Sequence, residues 1–191
     1  MNINQVYLES SKKQFLYYKK LGEKAMQQLE AEQLFISATE DSNSIAIIIK
    51  HLWGNMLSRW TDFLTTDGEK PWRNRDAEFE DNSMNKELLL AKWDEAWACL
   101  FRALNSIESE QLSQIIYIRN EGHTIIEAIN RQLGHYPYHI GQMVYAAKLL
   151  KKSNWDSLSI PKNNSKQYND QKFAEDKAIK NFTDGELDRL K

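Results

Sequence analysis

Apolar side chains recur at three- and four-residue offsets over long stretches of the chain, the spacing that places them on one face of an α-helix. Tyr7, Phe15, Leu16, Leu21, Met26 and Leu29 predict a first helix over about residues 5–31, with one face turned to a core. Ser37, Thr39, Asp41 and Ser42 then cluster and offer capping oxygens, so a second helix is expected from about Ser44 to Leu64. Its seam of Ile45, Ile48, Ile49, Leu52, Met56, Trp60 and Phe63 is broader than a surface helix needs, which predicts deep burial. Residues 65–82 hold Asp67-Gly68, Pro71 and many charges and read as a long crossover.

A third helix over about residues 85–104 carries Leu88, Leu89, Trp93, Trp97, Leu100 and Phe101, so large aromatics dominate its inward face. The β-branched run Ile115–Arg119, followed by Asn120-Glu121-Gly122, predicts an extended segment or small hairpin. The fourth helix is expected over about residues 124–151, packed through Ile125, Ile129, Leu133, Tyr136, Ile140, Val144 and Leu150. Beyond Lys152 the pattern turns polar and irregular. Residues 1–152 thus read as one helical domain, and 153–191 as a polar extension that is draped over it, exchanged with a partner chain, or partly disordered.

Composition supports this reading. A chain of 191 residues with 41% hydrophobic and 11% aromatic content can bury a real core, and only 7 Gly and 3 Pro leave little punctuation for a strand-rich fold. Twenty-five basic and 27 acidic residues give a net charge of −2, with no basic stripe interleaved with aromatics, so nucleic acid is not an expected partner. No stretch approaches the roughly 18 apolar residues of a membrane span, and the first 14 residues lack the pattern of a secretion signal. A soluble cytoplasmic protein is expected. The single cysteine, Cys99, lies in a helical pattern and reads as a buried core residue.

The candidate chemistry lies in the histidines. His135 and His139 stand four residues apart on an otherwise buried helix, so both imidazoles leave the same face and can converge on one ion. Arg131 precedes them by one turn and Gln142 follows. The second helix repeats the pattern, with His51 one turn before Asn55, then Arg59 and Asp62, beside an apolar seam. Two interior helices that each carry a polar stripe are most economically satisfied by facing one another across a shared pocket. Three neutral imidazoles from two helices suit zinc, nickel or another borderline first-row ion, with coordination positions left open. A metalloprotease is excluded, because Tyr136 stands where the general-base Glu would follow the first histidine. Pro137 is expected to kink or loosen the helix between the two ligands, with Gly134 and Gly141 absorbing strain or admitting a neighbouring helix. His123 reads as a loop or cap residue at a pocket edge, and Trp53, Trp60 and Trp72 as core residues or the lining of a pocket mouth.

The segments IIKHLWGNMLSRWTDFLTTDGEKPWRNRD, around His51, and EGHTIIEAINRQLGHYPYHIGQMVYAAKLL, with His139-Ile-Gly-Gln142, resemble the DinB-like superfamily of metal-dependent bacterial proteins. The likeness extends over roughly residues 6–168 and includes SLSIP at 157–161. It implies an all-α, up-down-down-up four-helix bundle, often a homodimer, whose three-histidine metal site maps onto His51, His135 and His139. Some members of that superfamily transfer low-molecular-weight thiols such as bacillithiol, or isomerise small acids with a thiol cofactor.

Two functions compete. In the first, a metal-dependent enzyme transfers a thiol to a small electrophile. The ion lowers the pKa of bound water or thiol, Arg59 or Arg131 meets an anionic small molecule, and Asp62 or Glu127 stands as candidate base. In the second, the ion ties two helices together in a non-catalytic bundle that serves as a stress-related or dimeric binding module. Stability and turnover after metal removal separate them.

Overall fold

The computed structural model describes residues 2–80 and 84–190, and the fold is mostly helical with one small two-stranded sheet. Four long helices carry the core: α1 (Ile3–Gln27), α2 (Ile45–Trp60), α3 (Lys86–Ser106) and α4 (Ile125–Lys151). Each begins at a polar cap whose side chain accepts a hydrogen bond from an otherwise unpaired amide of the first turn. Asn2, Ser44, Asn85 and Thr124 play that part, and Thr124 forms a reciprocal capping box with Glu127. Helix α1 packs on α4, α2 packs on α3 and also on α4, and α1 meets α3. Phe15, Leu52, Leu100 and Tyr136 lie fully inside, and each such apolar side chain contributes about 1.5–3 kcal/mol relative to exposure.

The second helix stops four residues short of its apolar pattern. Thr61 is extended, Asp62 is left-handed at φ 47°, and the Asp62 carbonyl accepts from the amides of Thr65 and Thr66. Phe63 remains buried although it is no longer helical, which is why periodicity alone extends the helix to Leu64. In the same way Leu29 is buried just beyond the end of α1.

The expected hairpin is present as β1 (Ile115–Ile118) paired antiparallel with β2 (Glu121–Thr124). Its two turn residues, Arg119 and Asn120, have φ of 57° and 62°, the left-handed pair that matches the twist of a two-residue hairpin. Asp67, in the crossover between α2 and α3, accepts from the amides of Arg119 and Asn120 at 2.8 Å each, and the Gly68 amide donates to the Tyr117 carbonyl. The crossover and the hairpin are thereby pinned together at one end of the helices.

Two short helices follow: α5 (Ser165–Ala174), which buries no side chain, and α6 (Phe182–Arg189), which rests on α1, where Lys13 pairs with Asp184 at 2.7 Å. Among the described residues no helix is long and apolar enough to cross a membrane.

Candidate metal centre

The polar stripe on α2 is covered mainly by the crossover that follows it. Lys50 donates to the Glu80 carbonyl, Ser58 to the Gly68 carbonyl, and Arg59 to Gly68 and Glu69. The α4 side contributes Tyr136, whose buried hydroxyl donates to Asn55 at 3.1 Å and accepts from the Trp60 indole at 3.0 Å. Between these two sets lie His51 from α2 and His135 and His139 from α4.

The three imidazoles converge through the same atom. His135 Nε2 is 3.3 Å from His51 Nε2 and 3.1 Å from His139 Nε2, and one ligand atom from each residue falls within 4.8 Å of the others. The opposite nitrogen of each ring faces an oxygen: His51 Nδ1 meets Glu78 at 2.9 Å, His135 Nδ1 meets Gln132 at 3.2 Å, and His139 Nδ1 meets Gln142 at 3.0 Å. An oxygen acceptor at Nδ1 fixes the proton there and leaves the lone pair on Nε2. Three lone pairs therefore point toward a common centre with no proton between them. Such a donor set repels itself unless a cation sits among it, and two nitrogens each about 2.0–2.1 Å from one ion lie about 3.0–3.4 Å apart. The residues fit one divalent ion.

Electrostatics keep the two α4 rings neutral. Burial, with His139, His51, Arg131 and Arg59 adding repulsion, pushes the His135 imidazole down to about 3, and burial with His51 lowers His139 against the opposing hydrogen bond to Gln142. Burial would raise the Glu78 carboxyl, but the hydrogen bonds from His51 and Arg73 bring it below the ordinary range. Arg73 holds Glu78 with Nε at 2.8 Å and Nη2 at 3.1 Å. The series Arg73, Glu78, His51 orients the ring from behind, the arrangement that raises ligand basicity at metal sites.

Glu78 and Gln132 escape sequence reading. Glu78 lies in a charged crossover with no periodicity, and Gln132 looks like an ordinary helix residue, although it is buried and lies three residues before His135. The available signal is Gly54, three residues after His51: a Cβ there would meet Glu78 Oε1 at 2.1 Å, so the glycine opens α2 to the carboxylate. Gly134 and Gly141, in contrast, face nothing within 4 Å and admit no neighbouring helix, and α4 runs unbroken through Pro137.

Above the histidines lies a cleft of about 570 Å³. The expected pocket residues Asn55, Arg59, Arg131 and Gln142 all line it, joined by Arg73, Arg75 and Arg119. Five arginines thus surround one opening, and among the described residues no carboxylate lines it. Glu69 pairs with Arg59 and Arg119, and Arg75 stacks over Phe79. The candidate bases fall elsewhere. Asp62 lines a separate cavity beside Cys99, which is buried, and Glu127 is spent in the helix cap. His123 sits on β2 near Glu121, and neither it nor Trp53, Trp60 or Trp72 lines the cleft.

A family model described as "Protein of unknown function (DUF1572)" matches residues 2–164. No curated protein and no solved structure matches the chain.

Proposed function

The chain belongs to the DUF1572 family, and from that premise and the geometry of the site we propose that it is a DinB-like, divalent-metal-binding protein acting as a metal-dependent enzyme on a small anionic molecule. The observation that carries this reading is the turning of three Nε2 lone pairs toward one centre, each backed at Nδ1 by an oxygen. His51, His135 and His139 hold the ion, zinc or nickel by the nitrogen character of the set. The four long helices, with one ligand on α2 and two on α4, accord with the up-down-down-up bundle of that superfamily.

The ion supplies Lewis acidity, which lowers the pKa of a ligand such as a thiol. The chain's own residues do the rest. Glu78, Gln132 and Gln142 fix the ring orientations, Tyr136 locks α4 to α2 through Asn55 and Trp60, and the arginines attract and orient an anion in a concave opening. Among the described residues no carboxylate lines the cleft to act as base, which favours thiol transfer to an electrophile over hydrolysis. Four of the cleft's five arginines have partners in Glu69, Glu78 or Phe79, so it is Arg131 at the opening that weighs against a purely structural ion.

The test is removal of the ion by chelation, followed by thermal denaturation and a turnover assay with a low-molecular-weight thiol and a panel of small electrophiles. The enzyme reading expects a folded, inactive protein that regains turnover on adding zinc or nickel. A chain that melts on chelation and shows no turnover when reloaded points to a structural ion.

A further inference from the structure

One stripe of α4 is exposed or half-buried along its length: Arg131, His135, Tyr138, Gln142, Tyr145 and Leu149, spaced alternately by four and three residues. Its first half is polar and belongs to the cleft. After Gln142 it turns apolar, with Tyr145 68% and Leu149 50% exposed beside Ala146 and Leu150, a contiguous apolar lining rather than a lone exposed side chain. Opposite stands the connection between α1 and α2, where Ile36 is 47% exposed, and buried Ile48 of α2 also lines the space. Together they enclose a groove of about 600 Å³.

Asn43 and Gln142 line both the arginine cleft and this groove, so the two cavities are neighbours on either side of the residue that holds the His139 ring. The groove's charged lining residues are one of each sign, Asp41 and Lys152, whereas the cleft is lined by five arginines. Burial lowers the Arg59 guanidinium, Glu69 opposes that, and Arg73 and Arg131 lie near enough to add repulsion of their own. One end of the combined cavity therefore recognises negative charge and the other end does not.

We propose that the site takes an amphipathic anion, with a carboxylate or phosphate head in the arginine cleft and an apolar chain or ring lying past Gln142 along Tyr145 and Leu149. From Gln142 to Leu149 the helix advances about 10 Å, the length of a chain of seven or eight carbons. Charge complementarity at one end favours this occupant over a second copy of the chain, since five arginines shared among the carboxylates of Glu69 and Glu78 leave an excess of positive charge that an identical face would oppose with its own. The proposal deepens the reading of the cleft as a ligand site and does not depend on the ion.

Calorimetric titration of butyrate, octanoate, octyl phosphate and octylammonium into metal-loaded and chelator-treated protein tests it. Octanoate is expected to bind about tenfold more tightly than butyrate, because an open groove recovers roughly half, on the logarithmic scale, of what burying four further methylenes would give. Octyl phosphate competes with octanoate, and octylammonium does not bind. Leu149→Glu abolishes the preference for the longer chain while butyrate affinity and metal content stay unchanged, and Arg131→Gln weakens both acids by the same factor. Equal affinity for the two acids overturns the proposal, as does binding of octylammonium. So does an apolar groove filled by self-association, seen as a Leu149→Glu protein that changes oligomeric state with the chain-length preference intact. Chain-length preference in a protein that never takes up metal sinks the metal reading and leaves this one standing.

Discussion

Substituting Gly54 by alanine should damage the histidine site from a position that touches no histidine. The new methyl would lie 2.1 Å from Glu78 Oε1 and 2.8 Å from its Cδ, so the carboxylate must leave. It gives up the bond to His51 Nδ1 at 2.9 Å and two bonds from Arg73 at 2.8 and 3.1 Å, leaving the buried guanidinium only Glu69 at 3.9 Å. Breaking a buried charge pair costs about 3–5 kcal/mol, of which a relocated carboxylate recovers part. Alanine returns about 1 kcal/mol of helix propensity. The net expectation is about 2–4 kcal/mol of destabilisation, a Tm lower by roughly 4–16 °C for a chain of this size. Affinity for zinc or nickel should fall about 10–100-fold as His51 loses its orienting partner. Circular-dichroism melting and competitive metal titration read both effects, and Glu78→Gln, which keeps an oxygen for His51 but not the charge for Arg73, should fall between the two proteins. An alanine variant that melts higher than the parent, with unchanged metal affinity, would refute the wedge argument.

Further outcomes follow from other contacts. Tyr136→Phe removes the hydroxyl shared by Asn55 and Trp60 and leaves two buried polar groups unpaired, so urea denaturation should show a loss of about 1–3 kcal/mol. The metal-free protein should lose stability as pH falls. The folded His135 titrates near 3 and its unfolded counterpart near 6.5, so the unfolded chain binds the proton first, and the contribution is full above about 6.5 and drains away toward 3. The slope for such a group is at most about 1.4 kcal/mol per pH unit, and denaturant midpoints that stay flat across that window would count against a neutral buried imidazole. Asp67→Ala removes the acceptor shared by the amides of Glu69, Arg119 and Asn120, and hydrogen exchange at the Arg119 and Asn120 amides should accelerate while α2 and α3 keep their protection.

How much of this is legible in the sequence depends on the range of each interaction. The four helices and the hairpin follow from apolar periodicity and caps such as Ser44 and Thr124, which act within a few residues. His51, His135 and His139 stand out because imidazoles on buried faces need partners, and the structure brings them together. The polar stripe of α2 is equally legible, but its cover is not. Asn55 does face α4, whereas Lys50, Ser58 and Arg59 bond to a crossover that has no periodicity. Glu78 acts across a sequence distance of 27 residues from His51 and leaves its only trace in the missing side chain of Gly54. Asp62 continues the stripe in sequence, yet it lies beyond the end of α2 and turns to another cavity, since a left-handed residue breaks the phase that spacing assumes.

The most direct test is elemental analysis of the protein purified without chelator, beside His135→Ala and a control, Tyr145→Ala, which alters an exposed residue of the same helix outside the arginine cleft. Parent and control should carry about one ion of zinc or nickel per chain, and His135→Ala a small fraction of that, since losing one of three ligands weakens binding severely. A His135→Ala protein that keeps the full equivalent, or a parent chain that takes up no ion even when either metal is supplied, would contradict the convergence of the three imidazoles on a metal.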